Sequence, residues 1–310
     1  MIVVSIILLV LGFIMLVKGA DWFVDGAASL AVRFGIPQLV IGLTIVAMGT
    51  SLPEAAVSIT AALKENAGIT IGNVLGSNIL NIWIILGMTA VIVAVSIQKS
   101  TLFYEIPFML VITGVFLVMG ITGREVTRLE GLLLWLFFVV YLIYLFFLSK
   151  YTKGEDTEQQ KRLPVWKCLL YIVGGGALIV LGSDFAVDGA SQLARMFGVS
   201  ERFIGLTSVA LGTSLPELVT SVTAARKGNA DIAIGNIVGS NIFNILFVAG
   251  TSALICDVPY AESFRVDGVV AILAGILLWL GSVRHRELRR GAGVIMLFAY
   301  GIYFVYLCQP

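Results

Sequence analysis

Apolar residues run through this chain in blocks long enough to cross a bilayer, and charged or turn residues gather at the breaks between them. At about 20 residues per crossing, the pattern predicts ten helices over approximately 2–33, 38–64, 69–95, 104–121, 128–148, 165–195, 202–226, 231–255, 264–283 and 288–308. The one long polar stretch, Ser149 to Lys167, holds Lys150, Lys153, Glu155, Asp156, Glu158, Lys161 and Arg162. It divides the chain into a first five-helix half (1–148), a linker (149–164) and a second half (165–310). The N-terminal apolar run lacks a basic flank and a convincing cleavage site, so it reads as a retained helix rather than a signal peptide.

The halves repeat without a gap at a fixed offset of 163 residues, from Gly19/Gly182 to Gly87/Gly250. Gly49-Thr50-Ser51-Leu52-Pro53-Glu54 returns as Gly212-Thr213-Ser214-Leu215-Pro216-Glu217. Gly72-Asn73, Gly76-Ser77-Asn78-Ile79 and Asn81 return as Gly235-Asn236, Gly239-Ser240-Asn241-Ile242 and Asn244. The repeat cores cover 42–87 and 205–250. Five crossings per half is an odd number, so the second half enters the membrane from the opposite side. The expected fold is an all-α integral membrane protein of ten transmembrane helices in two inverted five-helix repeats with broken core helices. That layout is associated with secondary transporters whose site lies at the midplane.

Composition supports the membrane reading and removes other classes. Hydrophobic residues make up 59% of the 310, charged residues 13%, and mean hydropathy is +1.01, which excludes an ordinary soluble domain. A net charge of +1 gives no reason to expect a nucleic-acid partner. The single histidine, His285, lies in the basic run Arg284 to Arg290, so a histidine-based catalytic centre is not expected. Cys168, Cys256 and Cys308 are too few and too scattered for a disulfide framework or a metal cluster. Placing the N-terminus outside puts Arg33, Lys99, five linker bases, Arg226, Lys227, Arg284, Arg286, Arg289 and Arg290 inside, against Lys64, Arg124, Arg128, Arg195, Arg202 and Arg265 outside. This excess predicts both termini outside and the linker in the cytoplasm.

Pro53 and Pro216 each remove a helical N–H and clash one turn back, so the helices are expected to open near Gly49 and Gly212. An ionised carboxylate at bilayer depth costs several kcal/mol unless neutralised, and such residues mark ion or substrate pathways. An isolated Pro-Glu could be a plain kink with a snorkelling acid, but two identical copies with no nearby base argue for a site. The spacing of Ser77/Asn81 and Ser240/Asn244 places each pair on one helix face. The assembled centre would hold two carboxylates, the hydroxyls of Thr50, Ser51, Thr213, Ser214, Ser77 and Ser240, and the amides of Asn81 and Asn244. Oxygen-only donors suit calcium, sodium or magnesium rather than zinc or copper, and a rigid magnesium site is disfavoured because that ion keeps its waters. The glycines of Gly72-x-x-x-Gly76 and Gly235-x-x-x-Gly239 read as helix packing, and Asp21, Asp25, Asp184 and Asp188 as structural or interfacial acids.

Moving calcium against a ten-thousandfold gradient and about 100 mV costs roughly 10 kcal/mol. Two sodium ions entering down a tenfold gradient return about 7.4 kcal/mol and three return about 11. A sodium-coupled exchange is therefore expected to run three for one and to move one net charge. A proton/calcium antiporter using the same two glutamates is the alternative. An intramembrane hydrolase lacks a membrane histidine to activate Ser51 or Ser214.

The paired Gly-Thr-Ser-Leu-Pro-Glu and Gly-Asn-x-x-Gly-Ser-Asn-Ile blocks resemble the two alpha-repeats of the calcium/cation antiporter superfamily, in particular prokaryotic sodium/calcium exchangers. The likeness covers essentially the whole chain. It implies alternating access around the second and third helices of each half, with the long first helices sliding over them as gates. Position by position it implies cation ligands at Glu54, Glu217, Thr50, Ser51, Thr213, Ser214, Ser77, Ser240, Asn81 and Asn244, with main-chain carbonyls at Ala47 and Ala210. Asn244 departs from relatives that carry aspartate there, which argues against potassium coupling. The implied partners are calcium, sodium and lipid, in a prokaryotic inner membrane, with no cofactor, no catalytic residue and a chain that works as a monomer.

Overall fold

Lipid offers a backbone no hydrogen-bond partners, so apolar blocks of this length close their N–H and C=O groups internally as helices. The computed structural model describes residues 2–64, 66–151, 163–197 and 212–308, together with the helical backbone of 201–211. The helices are α1 (Ile2–Phe34), α2 (Gln38–Thr50), α3 (Leu52–Leu63), α4 (Gly68–Ile92), α5 (Thr101–Gly123), α6 (Arg128–Tyr151), α7 (Val165–Met196), α8 (Glu201–Arg226), α9 (Ala230–Ile255), α10 (Phe264–Val283) and α11 (Arg290–Leu307). Among the described residues, eight are long and apolar enough to cross a membrane, or nine spans if α2 and α3 count as one. The expected linker 149–164 falls largely on 152–162, which lie outside the described residues.

The centre of the molecule is made by α4 and α9. Their apolar windows are 72% and 94% buried, whereas those of α1 and α7 are each 22% buried and face outward. The two outer helices pack antiparallel on a glycine seam. A Cβ on Gly12 would meet the Ala186 amide at 2.5 Å, one on Gly19 the Gly175 carbonyl at 2.8 Å, and one on Gly26 the Cys168 carbonyl at 2.9 Å. Backbones that close leave no room for a methyl group.

Four π-helical turns interrupt the described helices, at Gly42–Val46, Asn81–Leu86, Thr101–Glu105 and Asn244–Ala249. The second and fourth begin at the repeated asparagines and share the 163-residue offset. Two short antiparallel ribbons tie one half to the other: β1 (Val95–Ser96) pairs with β4 (Glu287–Leu288), and β2 (Glu125–Val126) with β3 (Val258–Pro259).

The breaks differ from the sequence expectation. The chain bends by 50° between α2 and α3, with Ser51 at the joint (φ −86°, ψ 9°). Pro216 instead lies inside the continuous helix α8, so the second break does not form. The reason is local. The Gly212 carbonyl, which loses its donor to Pro216, accepts the Ser183 hydroxyl of α7 at 2.5 Å. The position 163 residues earlier is Ala20, which has no hydroxyl to offer. Likewise α4 and α9 run through with π turns rather than breaks.

Candidate functional site

The bend after Thr50 starts α3 at Leu52 and places Glu54 in its first turn, where unpaired amides and the helix dipole favour a carboxylate. Glu54 and Glu217 are both 0% exposed. They face one shared space: Ser51 of the first half donates its hydroxyl to Glu217 Oε1 of the second at 2.8 Å. The Glu54 carboxylate lies within electrostatic reach of Glu217 and beside the Thr213 and Ser77 hydroxyls; Glu217 lies beside those of Thr50, Ser51 and Ser240.

Helices α4 and α9 cross at the middle and hold each other through asparagines. Asn78 Nδ2 donates to the Asn241 carbonyl at 3.1 Å, and Asn241 Nδ2 returns the bond to the Asn78 carbonyl at 3.1 Å. Asn81 donates to Asn241 Oδ1 at 3.0 Å and Asn244 to Asn78 Oδ1 at 3.1 Å. The oxygens of Asn78 and Asn241 are taken up by these bonds, whereas Asn81 and Asn244 spend their N–H groups on the opposite helix and keep their own oxygens free. A second asparagine pair fixes the acid-bearing helices: Asn73 donates to Ser58 Oγ at 2.8 Å and to the Glu54 carbonyl at 3.1 Å, and Asn236 donates to Ser221 Oγ at 2.9 Å. Asn236 Oδ1 in turn accepts the Thr50 hydroxyl at 3.0 Å.

The outcome is a buried set of oxygens without donors. Both carboxylate oxygens of Glu54, Oε2 of Glu217, Oδ1 of Asn81, Oδ1 of Asn244 and Oγ of Ser214 have no hydrogen-bond partner. Unpaired buried acceptors cost about 1–3 kcal/mol each, so a concentration of them around two acids is what a cation would relieve. The Ala47 carbonyl sits at the same place and accepts Ser240 Oγ at 3.3 Å, Thr50 Oγ1 at 3.3 Å and the Ser51 amide at 3.1 Å. Ala210 lies in the part of α8 that is described as helical backbone alone. No group of three or more His, Cys, Asp or Glu side chains gathers among the described residues, so neutral oxygens must supply most of any coordination here.

Of the sequence-identified positions, Thr50, Ser51, Glu54, Ser77, Asn81, Thr213, Ser214, Glu217, Ser240 and Asn244 are all buried. Asn73, Asn78, Asn236 and Asn241 were not singled out from spacing, although the same 163-residue recurrence marks them. Asp21 and Asp25 lie apart from this centre, where Lys227 Nζ meets their carboxylates at 3.2 and 2.8 Å.

Residues 4–147 and 167–309 match the family described as sodium/calcium exchanger protein. The chain is 36% identical over 318 residues to inner membrane protein YrbG of Escherichia coli K12, covering 97% of this chain and 95% of that protein. It is 34% identical over 353 residues to sodium/calcium exchanger MaX1 of Methanosarcina acetivorans, covering 99% of each. A solved structure of the sodium-calcium exchanger NCX_Mj soaked with sodium and strontium superposes with a TM-score of 0.87 at 32% identity, covering 100% of both chains.

Proposed function

The chain belongs to the sodium/calcium exchanger family and is a membrane cation/calcium antiporter rather than an enzyme; from that premise we propose that it exchanges three sodium ions for one calcium ion, moving one net charge per cycle. Glu54 and Glu217 hold calcium between them. Thr50, Ser51, Thr213, Ser214, Ser77, Ser240, Asn81, Asn244 and the carbonyls of Ala47 and Ala210 complete the calcium and sodium sites. The halves 1–148 and 165–310 act as inverted repeats of five crossings each, in a prokaryotic inner membrane with both termini outside and the linker in the cytoplasm, and one chain suffices for transport.

The observation that supports this reading best is the set of buried donor-less oxygens contributed by both halves, with Glu54 and Glu217 within electrostatic reach of each other. Two carboxylates balance one divalent ion, and hard oxygen donors match calcium and sodium alike. The test is calcium uptake into sodium-loaded vesicles after external sodium is removed, in wild type and in Glu54→Gln and Glu217→Gln. Uptake is expected in the wild type and absent from both variants. Uptake retained in both variants would overturn the site. A pH gradient imposed at fixed sodium separates the coupling ions: calcium flux that follows pH and ignores sodium would overturn sodium coupling.

A further inference from the structure

Another carboxylate lies buried within the helices of the first half. Glu105 ends the π-helical turn that opens α5 and is 1% exposed. Its Oε1 accepts the Tyr144 hydroxyl of α6, while its Oε2 has no partner, nor does the hydroxyl of Tyr141, which is 3% exposed. Glu105 and Tyr141 line a cavity of about 300 Å³ whose other walls are Phe103, Tyr104, Phe108, Val140 and Tyr144. Tyr104 is 64% exposed, so the cavity opens on the outer flank of the helix bundle, where lipid would lie. Glu105 stands about one turn from the start of α5, and Tyr144 about two turns before α6 ends at Tyr151. The cavity is therefore near headgroup depth on the side that carries the linker.

The second half supplies an internal comparison. At an offset of 162, Glu105 corresponds to Asp267, Tyr141 to Tyr303 and Tyr144 to Tyr306. There the acid is closed by the tyrosine equivalent to Tyr141: Tyr303 donates to Asp267 Oδ1 at 2.7 Å. In the first half the extra methylene of glutamate reaches Tyr144 instead, leaving Tyr141 and one carboxylate oxygen without partners. Phe108, where the second half has Val270, completes an aromatic run with Tyr141 (centroids 5.6 Å apart, rings at 12°) that continues to Tyr144 (6.5 Å, 25°).

A donor-less carboxylate oxygen beside stacked aromatic faces is recognition chemistry for an ammonium group, and apolar walls favour one carried on an acyl body. We propose that this cavity binds a phospholipid with a primary ammonium headgroup, of the ethanolamine type, from the linker-side leaflet. The ammonium donates to Glu105 Oε2, and the acyl chains run along Phe108 and Val140. A trimethylammonium headgroup has no N–H and forfeits that bond.

The purified full chain in detergent is titrated with dioleoyl phosphatidylethanolamine, dioleoyl phosphatidylcholine and dodecylamine, and bound molecules are read by native mass spectrometry. The ethanolamine lipid is expected to bind roughly tenfold more tightly than the choline lipid, as one charge-assisted hydrogen bond would give. Glu105→Gln keeps an acceptor for Tyr144 but removes the carboxylate, and the preference should vanish. Tyr141→Phe keeps the ring stack and should weaken ethanolamine-lipid binding, which keeps the proposal testable if Glu105→Gln does not fold. Dodecylamine should be displaced by the ethanolamine lipid. Equal binding of the two lipids, or a preference unchanged in both variants, overturns the proposal. Dodecylamine that resists excess ethanolamine lipid assigns the cavity to a free amphiphilic amine and overturns it as well.

Discussion

A proline inside a helix leaves the carbonyl four residues upstream without its donor, and this chain meets that problem twice with different answers. The Ser183 hydroxyl of α7 fills the gap at Gly212 and keeps α8 continuous, whereas Ala20 offers nothing at the matching place and the chain bends after Thr50. Ser183→Ala should therefore lower stability by about 1 kcal/mol, the net worth of a hydrogen bond to a partly buried carbonyl, read as a fall in the thermal midpoint of the detergent-solubilised chain. An unchanged midpoint would mean that the hydroxyl bond carries no weight. A larger loss is expected at Asn241, because Asn241→Ala strands both the Asn78 carbonyl and the Asn81 amide on the opposite helix. At about 1–3 kcal/mol for each buried group left without a partner, that is about 2–6 kcal/mol, and sodium-driven calcium flux should disappear with it; full flux in this variant would show that the reciprocal pair is dispensable. The paired acids and their hydroxyls were legible from sequence because a buried charge beside a proline is costly wherever it stands. The crossing asparagines Asn78, Asn81, Asn241 and Asn244 were not legible as a network, since their bonds join residues 160 to 166 positions apart and nothing local distinguishes an amide that pins a helix from one that faces an ion.

At the scale of the elements, the helical spans were readable to within a few residues from the apolar blocks. The π turns and two-residue ribbons were not, being too short to leave a periodic signal. Nor was the ion pairing of the acids on α1 readable. Lys227, just past the end of α8, bridges Asp21 and Asp25 and so ties α1 to α8 at the linker side. The repeat offset maps this trio onto Lys64, Asp184 and Asp188 at the other side, and among the described residues Lys64 forms no ion pair with either acid. Half-exposed ion pairs are worth about 0.2–1 kcal/mol each, strong enough to bias α1 and weak enough to release it in a transport cycle. The Lys227 pairs are closed in this structure, and the prediction is that they alternate with a pair between Lys64 and Asp188. In a background lacking Cys168, Cys256 and Cys308, Asp25→Cys with Lys227→Cys should cross-link in the conformation described here. Asp188→Cys with Lys64→Cys should cross-link only when the ion gradients are reversed. Equal rates for both pairs under one condition would refute the alternation.

For the molecule as a whole, the charge in the central site decides how voltage enters the cycle. With Asn244 rather than an acid at the mirror of Asn81, Glu54 and Glu217 are the two carboxylates among the unpartnered oxygens of the site. In the three-for-one exchange proposed above, one calcium ion would cancel them and three sodium ions would exceed them by one charge, so the sodium-loaded step would be the one that feels the membrane potential. With calcium equal on both sides and a tenfold sodium gradient, three sodium ions carry about 4.2 kcal/mol and one net charge, against about 2.3 kcal/mol per charge for each 100 mV. Flux should then reverse at about 180 mV, positive on the side that receives sodium. A two-for-one exchange is electroneutral, and no potential would reverse it. Calcium flux in reconstituted vesicles with clamped potential distinguishes the two: a reversal near the calculated voltage supports the charge count at the two glutamates, and flux insensitive to potential would refute it.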